Sequence, residues 1–564
     1  MAVPHALVVP FCGQGHVAAL MELSHHLADH GVLVTFVYTE YTHRQVKAAL
    51  PENFSSDYAG RIRLVTIPDG LSTDDDRKDA CKLLSSSMNA IPSFMEELVL
   101  KINEKDEEKI TFVIADGAMG FLFDVAEKLN LPRAAVWTAS TWTLATLLNI
   151  PMLIEDGVID ENGDKMVQLS EGVPAFRSAH LLWLPFEDTK ITEIFFKCVE
   201  KSSESMKGIS HVLCNTFEEL ESPFLDLINN AIPIGPLLPA NKAKHQPSSI
   251  WAEDWSCIDW LNQQPTCSVI YVSLGSTTVL SQHQLGELAI GVELTGRPFL
   301  WVSRPDIMGS FGGAAYPEGF MERVGRRALI VGWAPQKEVL SHPSVACFLT
   351  HCGWNSTMEA VSNGVPMLCW PYFGDQFLNQ TAIVEVWKVG LELEKEDDGT
   401  VGKEEIREKL ELVINDEGIR ERLTHLEEKG KKATMKGGAS ARNFEGQVMA
   451  ALPENFSSDY AGRIRLVTIP DGLSTDDDRK DVCKVLSSSM SAIPSFLEEL
   501  VLKFSEKDEE KNTFVIADGA MGFLFDVAER LNLPRAAVST ASTWTLATLL
   551  NIPCLLKMES SMKM

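Results

Sequence analysis

The order of apolar and polar residues near the N-terminus follows the pattern of a strand, a helix and a second strand. Ala6 to Val9 is a short apolar run, Gly13 to His16 is a glycine-bearing turn, and Val17 to His30 repeats apolar positions at helical spacing. Gly31 ends that helix, and the apolar run Val32 to Val37 follows as the next strand. Strands that alternate with helices predict a parallel sheet covered on both faces, which places the chain in the α/β class.

A second series of apolar runs follows a proline-rich segment without periodicity that starts at Pro233. The runs of this series are Ser268–Ser273, Phe299–Ser303, Leu329–Val331, Val345–Thr350 and Pro366–Trp370. We therefore predict a first domain over residues 1–235, a linker over 236–249, a second domain over 250–430 and a terminal helix over 431–449. The length of 564 residues exceeds the roughly 250 to 300 residues at which single cores stop growing, so two domains that enclose a cleft are expected.

A long internal repeat occupies the C-terminal part of the chain. Residues 450–555 repeat residues 48–153 at an offset of 402 (450 − 48), and ten of these 106 positions differ. Near identity over so long a period is unlike a solenoid, so we interpret residues 450–564 as a partial duplicate of the first domain. The repeat begins after the chain has passed His16, so it contains no counterpart of that residue.

Charge and cysteine content narrow the function classes. The formal net charge of −28 argues against nucleic acid and anionic membranes as partners. Eleven cysteines without a CxxC pair indicate reduced thiols, and the sequence shows neither a signal peptide nor an apolar run of about 20 residues that would span a membrane. The group Cys347, His351 and Cys352 matches no common zinc spacing, so no metal is predicted. A soluble, cytoplasmic protein is expected.

The most specific segment runs for 44 residues from Trp333 to Gln376 and reads WAPQKEVLSHPSVACFLTHCGWNSTMEAVSNGVPMLCWPYFGDQ. Within it an apolar strand leads into Trp354-Asn355-Ser356, where a helix is predicted to begin. A helix N-terminus presents free N–H groups and a partial positive charge, which suits a diphosphate. A purely structural alternative stays open, because Ser356 with Glu359 three residues later also fits a capping box.

This segment resembles the donor-binding signature of plant UDP-dependent glycosyltransferases, and the resemblance extends over about residues 1–449. It implies an enzyme of plant secondary metabolism with a GT-B fold, in which two Rossmann-like domains face each other, the first binding the acceptor and the second the UDP-sugar. The roles that it implies are phosphate contacts for Ser276, His351, Asn355 and Ser356, uracil contacts for Trp333 and Ala334, ribose contacts for Gln336 and Glu359, and sugar contacts for Trp354, Asp375 and Gln376. Glutamine at the last of these positions is typical of relatives that use glucose, so UDP-glucose is the favoured donor.

The candidate catalytic residues lie in the first domain. His16 lies between the first strand and the first helix, and its ordinary pKa near 6.5 suits the removal of a hydroxyl proton near neutral pH. Asp116 ends another strand, and the carboxyl ends of parallel strands meet at one crevice. The segment PFCGQGHV resembles the first loop of the same family, which implies His16 as the general base and Asp116 as the carboxylate that orients it. Relatives usually carry Pro-Ala at Cys12-Gly13 and Pro at Ala19, departures that are expected to loosen this turn.

These residues predict a UDP-glycosyltransferase that transfers glucose from UDP-glucose, with inversion, to a hydroxyl of a small apolar, phenolic or terpenoid acceptor. Neither a metal nor a cofactor is expected, since the UDP-sugar is a co-substrate. Loops of the first domain are expected to form the acceptor pocket, with the aromatic residues Trp137, Trp142, Trp183, Phe195 and Phe196.

Two alternatives remain at this point. The first is a UDP-sugar-binding protein with impaired catalysis, because the turn that carries His16 departs from the family pattern. The second is a nicotinamide-dependent oxidoreductase, since Gly13-Gln-Gly15 follows a strand. Ala18 in place of a third glycine, and Val37 in place of an acidic residue after the second strand, both weaken the second alternative.

Overall fold

The computed structural model describes most of the first 448 residues and a few positions beyond them. The described ranges are 3–50, 60–72, 80–105, 108–158, 165–181, 189–238, 249–276, 278–304, 316–448, 515–518 and 535–538, with single residues 75, 77, 495 and 530. Contacts divide the chain into one unit over Met1–Ala461 and a second over Gly462–Met564. Trp183 and most of the predicted linker lie outside the described residues.

The first sheet of the N-terminal unit contains seven parallel strands in the order β3-β2-β1-β4-β5-β8-β9. The strands of this part of the chain are β1 (His5–Val9), β2 (Leu33–Thr39), β3 (Ile62–Ile67), β4 (Phe112–Asp116), β5 (Arg133–Trp137), β6 (Met166–Val167), β7 (Phe176–Arg177), β8 (Val212–Cys214) and β9 (Ala231–Pro233). The short strands β6 and β7 form a separate antiparallel pair. All residues of β1 and β4 are buried, as expected for a parallel sheet that is covered on both faces.

A second sheet has six parallel strands in the order β12-β11-β10-β13-β14-β15. These strands are β10 (Val269–Ser273), β11 (Phe299–Val302), β12 (Ala328–Val331), β13 (Val345–Thr350), β14 (Met367–Cys369) and β15 (Gly390–Glu392). The predicted α/β class is thereby confirmed, and β13 has the bounds that the apolar pattern predicted. The last strand, β15, was absent from the predicted set.

Helices connect the strands of both sheets. The α-helices are α1 (Gln14–Asp29), α2 (Glu40–Ala49), α3 (Ala80–Lys105), α4 (Phe123–Lys128), α5 (Thr141–Glu155), α6 (Thr189–Lys207), α7 (Glu218–Leu225), α8 (Ser256–Leu261), α9 (Gln282–Leu294), α10 (Phe320–Val324), α11 (Gln336–Leu340), α12 (Trp354–Ser362), α13 (Gln376–Thr381), α14 (Lys403–Asn415), α15 (Glu417–Thr434) and α16 (Ala439–Asn443). Short 3₁₀ turns cover Gly117–Leu122, Ser178–His180 and Gly325–Arg327, and π turns cover Ala382–Val386 and Phe444–Val448. Across these described helices, none is both long and apolar enough to cross a membrane.

The order of the strands creates a crevice at one end of each sheet. In the first sheet β1 lies between β2 and β4, and in the second sheet β10 lies between β11 and β13. The chain therefore leaves β1 and β4 in opposite directions along the first sheet, and it leaves β10 and β13 in opposite directions along the second sheet. Such a change of direction opens a crevice at the carboxyl ends of the two neighbouring strands. A ligand-binding site is therefore expected in the segments that follow β1, β4, β10 and β13.

The C-terminal part of the first unit returns to the first sheet. In place of the single helix predicted over 431–449, α15 ends at Thr434 and Gly437 adopts a φ of +80°, a conformation that favours glycine. The chain then turns into α16, and Phe444 and Val448 join the buried cluster that covers one face of the first sheet. The Ser440 hydroxyl donates to the Gly235 carbonyl at 2.6 Å, which fixes this return.

The helical segments after β1 and β4 hold the two candidate catalytic residues. Helix α1 begins at Gln14 rather than at residue 17 as predicted, so His16 lies in its first turn and not in the preceding loop. The chain after β4 forms the 3₁₀ turn Gly117–Leu122 and then α4. The Asp116 side chain caps this turn by accepting from the Ala118 N–H at 2.9 Å.

The second unit shows two short parallel strands among its described residues. They are β16 (Val515–Asp518) and β17 (Arg535–Val538). Val515 pairs with Arg535 and Asp518 with Val538, the same register that β4 and β5 have at the matching positions of the repeat.

Candidate functional site

The first domain contributes an imidazole and a carboxylate at the carboxyl ends of β1 and β4. His16 Nδ1 lies 2.7 Å from Asp116 Oδ2, and the Thr138 hydroxyl, just after β5, lies 2.8 Å from the same nitrogen. The Asp116 side chain is 1% exposed, whereas that of His16 is 33% exposed. An ionised carboxylate only accepts hydrogen bonds, so Nδ1 carries the proton and Nε2 has a lone pair available for a substrate.

The surroundings of His16 adjust its basicity. Burial alone would lower the pKa of His16, but the charge and hydrogen bond of Asp116 outweigh burial and raise it, with a further contribution from Asp375. Asp375 belongs to the second domain, so both domains act on the same imidazole. His16 is therefore a stronger base than a free histidine, with the carboxylate positioned to stabilise its protonated form.

The departures at Cys12, Gly13 and Ala19 leave this pair intact. Gly13 is the N-cap of α1 in extended conformation, and a Cβ at this position would lie 3.1 Å from His16 Cδ2. Burial raises the pKa of the Cys12 thiol to about 12, so the thiol stays neutral. Ala19 is buried on α1. The expected loosening of the turn is thus not evident in the distance between His16 and Asp116.

The second domain presents a helix N-terminus after β13. Gly353 is the N-cap of α12, and the first helical hydrogen bond runs from the Thr357 N–H to the Gly353 carbonyl at 2.9 Å. The N–H groups of Trp354, Asn355 and Ser356 precede that bond and have no acceptor within the helix, which suits a diphosphate. Ser356 is therefore the third helical residue and not the N-cap, and the capping-box alternative is wrong.

His351 lies against two glycines at the same end of the sheet. Gly275 has a φ of +75°, and a Cβ there would lie 2.5 Å from His351 Nε2, while a Cβ on Gly353 would also collide with that ring. Burial lowers the pKa of His351 to about 4, opposed by the backbone of Ser273, so the ring is neutral. Ser276 directly follows Gly275 and is half-buried, which brings it to the same end of the sheet.

The two residues expected at the ribose form one network. The Gln336 amide donates to Ser356 Oγ at 2.8 Å and to Glu359 Oε2 at 2.9 Å, and its carbonyl accepts from the Tyr271 hydroxyl at 3.2 Å. Burial raises the pKa of Glu359, while the charge of Lys337 and the Gln336 hydrogen bond lower it. A carboxylate in this position can accept from two neighbouring hydroxyls.

The aromatic position expected at the uracil lies beside a second indole. The rings of Trp333 and Trp251 are 6.0 Å apart at 29°, and the Arg304 guanidinium lies 5.8 Å from the Trp251 ring. Trp333 is half-buried, and its carbonyl accepts from the Asp254 N–H at 2.9 Å. Ala334 is buried immediately before α11. Stacking of this kind fixes the plane of the Trp333 ring before any base binds.

The sugar-binding candidates lie around the start of α13. Asn379 donates to Asp375 Oδ2 at 2.8 Å and to the Cys352 carbonyl at 2.9 Å, which ties this loop to the segment before α12. The Gln376 side-chain carbonyl accepts from the Tyr372 N–H at 2.8 Å and from the Phe373 N–H at 3.2 Å. Its NH₂ group is then the part that can reach a ligand. The Trp354 indole N–H donates to the Asn215 carbonyl at 2.8 Å, so only the backbone of Trp354 can contact a sugar through a polar group.

Two of the aromatic residues expected around an acceptor, Trp137 and Trp142, have a different role. Trp142 is 1% exposed and stacks on Phe224 at 4.8 Å, and the buried Trp137 donates its N–H to the Ser140 carbonyl at 2.8 Å. Both belong to the core and do not line an open pocket, in contrast to the sequence expectation. Phe195 and Phe196 are half-buried on α6 and pack against the same core.

Several contacts at this site escaped the sequence analysis. Thr138 and Asn215 directly follow β5 and β8, so the rule that selected His16 and Asp116 would also have selected them. Lys337 on α11 forms an ion pair with Glu22 on α1 at 2.9 Å, and no sequence signal joins two residues 315 positions apart. Burial alone would lower the pKa of Lys337, but the charges of Glu22 and Glu359 outweigh it.

Most of the chain is similar to known proteins. Residues 17–437 match the family described as UDP-glucoronosyl and UDP-glucosyl transferase. UDP-glycosyltransferase 83A1 of Arabidopsis thaliana is 37% identical over 459 residues, which cover 79% of this chain and 96% of that protein. The 7-deoxyloganetic acid glucosyltransferase of Catharanthus roseus is 34% identical over 472 residues, with coverage of 79% and 96%. The structure of Phytolacca americana UGT2 complexed with UDP-2fluoro-glucose and pterostilbene matches with a TM-score of 0.65 and 25% identity, covering 80% of this chain and 99% of that one.

Proposed function

Because the chain belongs to the UDP-glucoronosyl and UDP-glucosyl transferase family and is a UDP-glycosyltransferase of the plant type, we propose that it transfers glucose from UDP-glucose to a hydroxyl group with His16 as the general base. The acceptor is a small apolar compound of the phenolic or terpenoid class, and the reaction inverts the anomeric centre. The eight cysteines whose side chains the structure describes are all free thiols, which supports a reducing compartment such as the cytoplasm.

The observation that carries the proposal is the His16–Asp116 pair. Its 2.7 Å hydrogen bond fixes the tautomer that leaves Nε2 unprotonated, and the side chain of His16 is one third exposed. Asp375, in the loop proposed to bind the sugar, is near enough to raise the pKa of His16. These observations support a base from the first domain that acts beside sugar-binding groups from the second domain, as a transfer between two substrates requires.

The proposed reaction is a single displacement. His16 Nε2 takes the acceptor hydroxyl proton, the acceptor oxygen bonds to the anomeric carbon, and the bond from that carbon to the β-phosphate oxygen breaks. UDP leaves with the bonding electron pair, and the free N–H groups at the start of α12 stabilise the added charge. Asp116 stabilises the imidazolium until its proton passes to solvent.

Support for glucose comes from Gln376 and from the relatives. The Gln376 side chain is held by two backbone N–H groups, which directs its NH₂ group as a fixed donor. One relative is named for glucosyl transfer, and one structural neighbour is complexed with UDP-2fluoro-glucose. The pterostilbene in that neighbour supports an apolar phenolic acceptor for this chain.

The test is a transfer assay with labelled UDP-glucose, and UDP-galactose in parallel, against a panel of phenols and terpenoid alcohols. We expect transfer from UDP-glucose, an inverted product by NMR, and a loss of at least about a hundredfold in the His16→Ala variant. The exposed His283 provides the matched control, and His283→Ala should keep the wild-type rate. Full activity without His16, or retention of configuration, would refute the mechanism. Tight UDP binding without transfer to any acceptor would favour the alternative of a UDP-sugar-binding protein.

A further inference from the structure

Asn215 connects three separate segments of the chain. It directly follows β8 in the first domain and is 3% exposed. Its Oδ1 accepts from the Leu237 N–H at 2.8 Å, and its Nδ2 donates to Asn355 Oδ1 at 3.1 Å. Its backbone carbonyl accepts from the indole N–H of Trp354 at 2.8 Å. The first turn of α12, where the phosphates are proposed to bind, is therefore attached to the end of β8 through this residue.

Asn355 extends the connection to the base. Its Nδ2 donates to the Gly15 carbonyl at 2.7 Å, and Gly15 is the residue before His16. A Cβ on Gly15 would lie 2.8 Å from the same nitrogen, so only glycine permits this approach. One amide, Asn355, thus joins the donor helix α12 to the turn that holds the imidazole.

The direction of every hydrogen bond in this series is fixed by its two ends. The Leu237 N–H can only donate, so Asn215 must present its oxygen to it and its NH₂ group to Asn355. The Gly15 carbonyl can only accept, so Asn355 must present its NH₂ group to it and its oxygen to Asn215. Rotation of either amide by 180° would bring like groups together at both of its contacts. The two side chains therefore have one arrangement.

We infer that Asn215 is a positioning residue, which acts through Asn355 to set the distance between His16 and the diphosphate held by α12. This inference rests on the proposed function, since it takes His16 as the base. Asn215 contacts neither substrate in this scheme. Displacement of reacting groups by about 1 Å can cost roughly a hundredfold in rate, so a residue that aligns the two domains acts on turnover more than on donor binding.

The experiment compares Asn215→Ala and Asn215→Asp with the wild type. We expect kcat to fall about 10- to 100-fold in both variants, with the KM for UDP-glucose changed less than about threefold. Aspartate has the size of asparagine and can still accept from Leu237, but it cannot donate to Asn355, so it should not rescue the rate. The acid limb of the pH–rate profile should stay in place in Asn215→Ala, because Asp116 and not Asn215 raises the pKa of His16.

A double-mutant cycle separates positioning from general stability. Asn355→Ala should lower kcat, and addition of Asn215→Ala should cause no further loss, since Asn215 acts through Asn355. Asn443→Ala is the matched control. It removes a 2.9 Å hydrogen bond from the Asn443 side chain to the Pro233 carbonyl, which is not part of this series, and it should leave kcat unchanged. Thermal unfolding and UDP titration of each variant establish that it is folded.

The outcomes are distinguishable from those of the parent proposal. Additive losses in the cycle, wild-type kcat in Asn215→Asp, or an equal loss in Asn443→Ala would overturn the role of Asn215 while leaving His16 as the base. Full activity of His16→Ala would overturn the proposed function itself, whatever the cycle shows.

Discussion

Replacement of Asp116 by Asn tests how the structure makes His16 a base. One carboxylate oxygen of Asp116 accepts from the Ala118 N–H at 2.9 Å, and the other accepts from His16 Nδ1 at 2.7 Å. In Asp116→Asn the Ala118 N–H still requires the oxygen, so the new NH₂ group must face His16 Nδ1. Nδ1 then has to accept, the ring proton moves to Nε2, and the lone pair that should take the acceptor proton is lost.

The size of the effect follows from this change of tautomer. A general base contributes about 10²- to 10⁴-fold, so kcat/KM should fall by a factor in that range. The acid limb of the profile should also move. Burial lowers the pKa of His16 and the Asp116 charge raises it, so removal of the charge leaves burial as the main effect and lowers this pKa. The base works in its neutral form, so the limb should lie at lower pH than in the wild type.

The assay is the pH dependence of kcat/KM for UDP-glucose, measured at a saturating concentration of acceptor. This ratio reports the ionisation of the enzyme before the donor binds. Glu127→Gln removes the carboxylate of an exposed ion pair with Arg133 in the same domain and should change neither the rate nor the limb. A rate for Asp116→Asn within about threefold of the wild type, or a limb displaced to higher pH, would refute the reasoning.

Three further predictions concern donor binding, domain contact and the repeat. Glu359→Ala should weaken UDP binding about 10- to 100-fold by calorimetry, because a charged acceptor for the ribose is lost; unchanged affinity would remove Glu359 from the donor site. Lys337→Met leaves the Glu22 side chain, which is 3% exposed, without its partner and should lower the free energy of unfolding in urea by about 3 kcal/mol. The double variant Glu22→Leu/Lys337→Met should regain most of that stability, and a double variant that remains as unstable would contradict the ion-pair argument. A chain that ends at Met449 should keep the wild-type kcat, and loss of activity on this truncation would show that the repeat is part of the working enzyme.

The sequence could reveal those site residues that lie at the carboxyl ends of apolar strands. His16 follows β1, Asp116 ends β4, and the segment before α12 follows β13, so short-range patterns together with the resemblance were enough to select them. Ser356 shows the limit of such patterns. Its spacing from Glu359 fits a capping box, but Gly353 is the N-cap of α12, and both side chains instead contact Gln336 from another helix.

Contacts between distant segments also explain the misplaced start of α1. The sequence Gly-Gln-Gly-His contains weak helix formers, so propensity placed the first turn outside the helix. In the structure the Gln14 side chain accepts from the Ile250 N–H at 2.8 Å, and Asn355 donates to the Gly15 carbonyl. These bonds come from residues 236 and 340 positions away, and they hold a turn that local preferences would not form. The same reasoning applies to Asn215, whose partners could be identified only after both domains had been placed.

The repeated sequence lacks what the first domain uses to complete its sheet. Residues 450–555 repeat the amino-acid sequence of β3, β4 and β5. In the first domain β3 pairs with β2, and β4 and β5 are flanked by β1 and β8, but the sequences of β1, β2 and β8 are not repeated. The change from Trp137 to Ser539 matters as well. The Trp137 indole fills space so tightly that a Cβ on Gly117 would lie 2.7 Å from it, and a serine at that point of the same fold would leave a cavity in the core. The paired register of β16 and β17 shows that the local pattern of the copy is kept, but the strands that would bury its edges and carry a base are supplied only by the first domain.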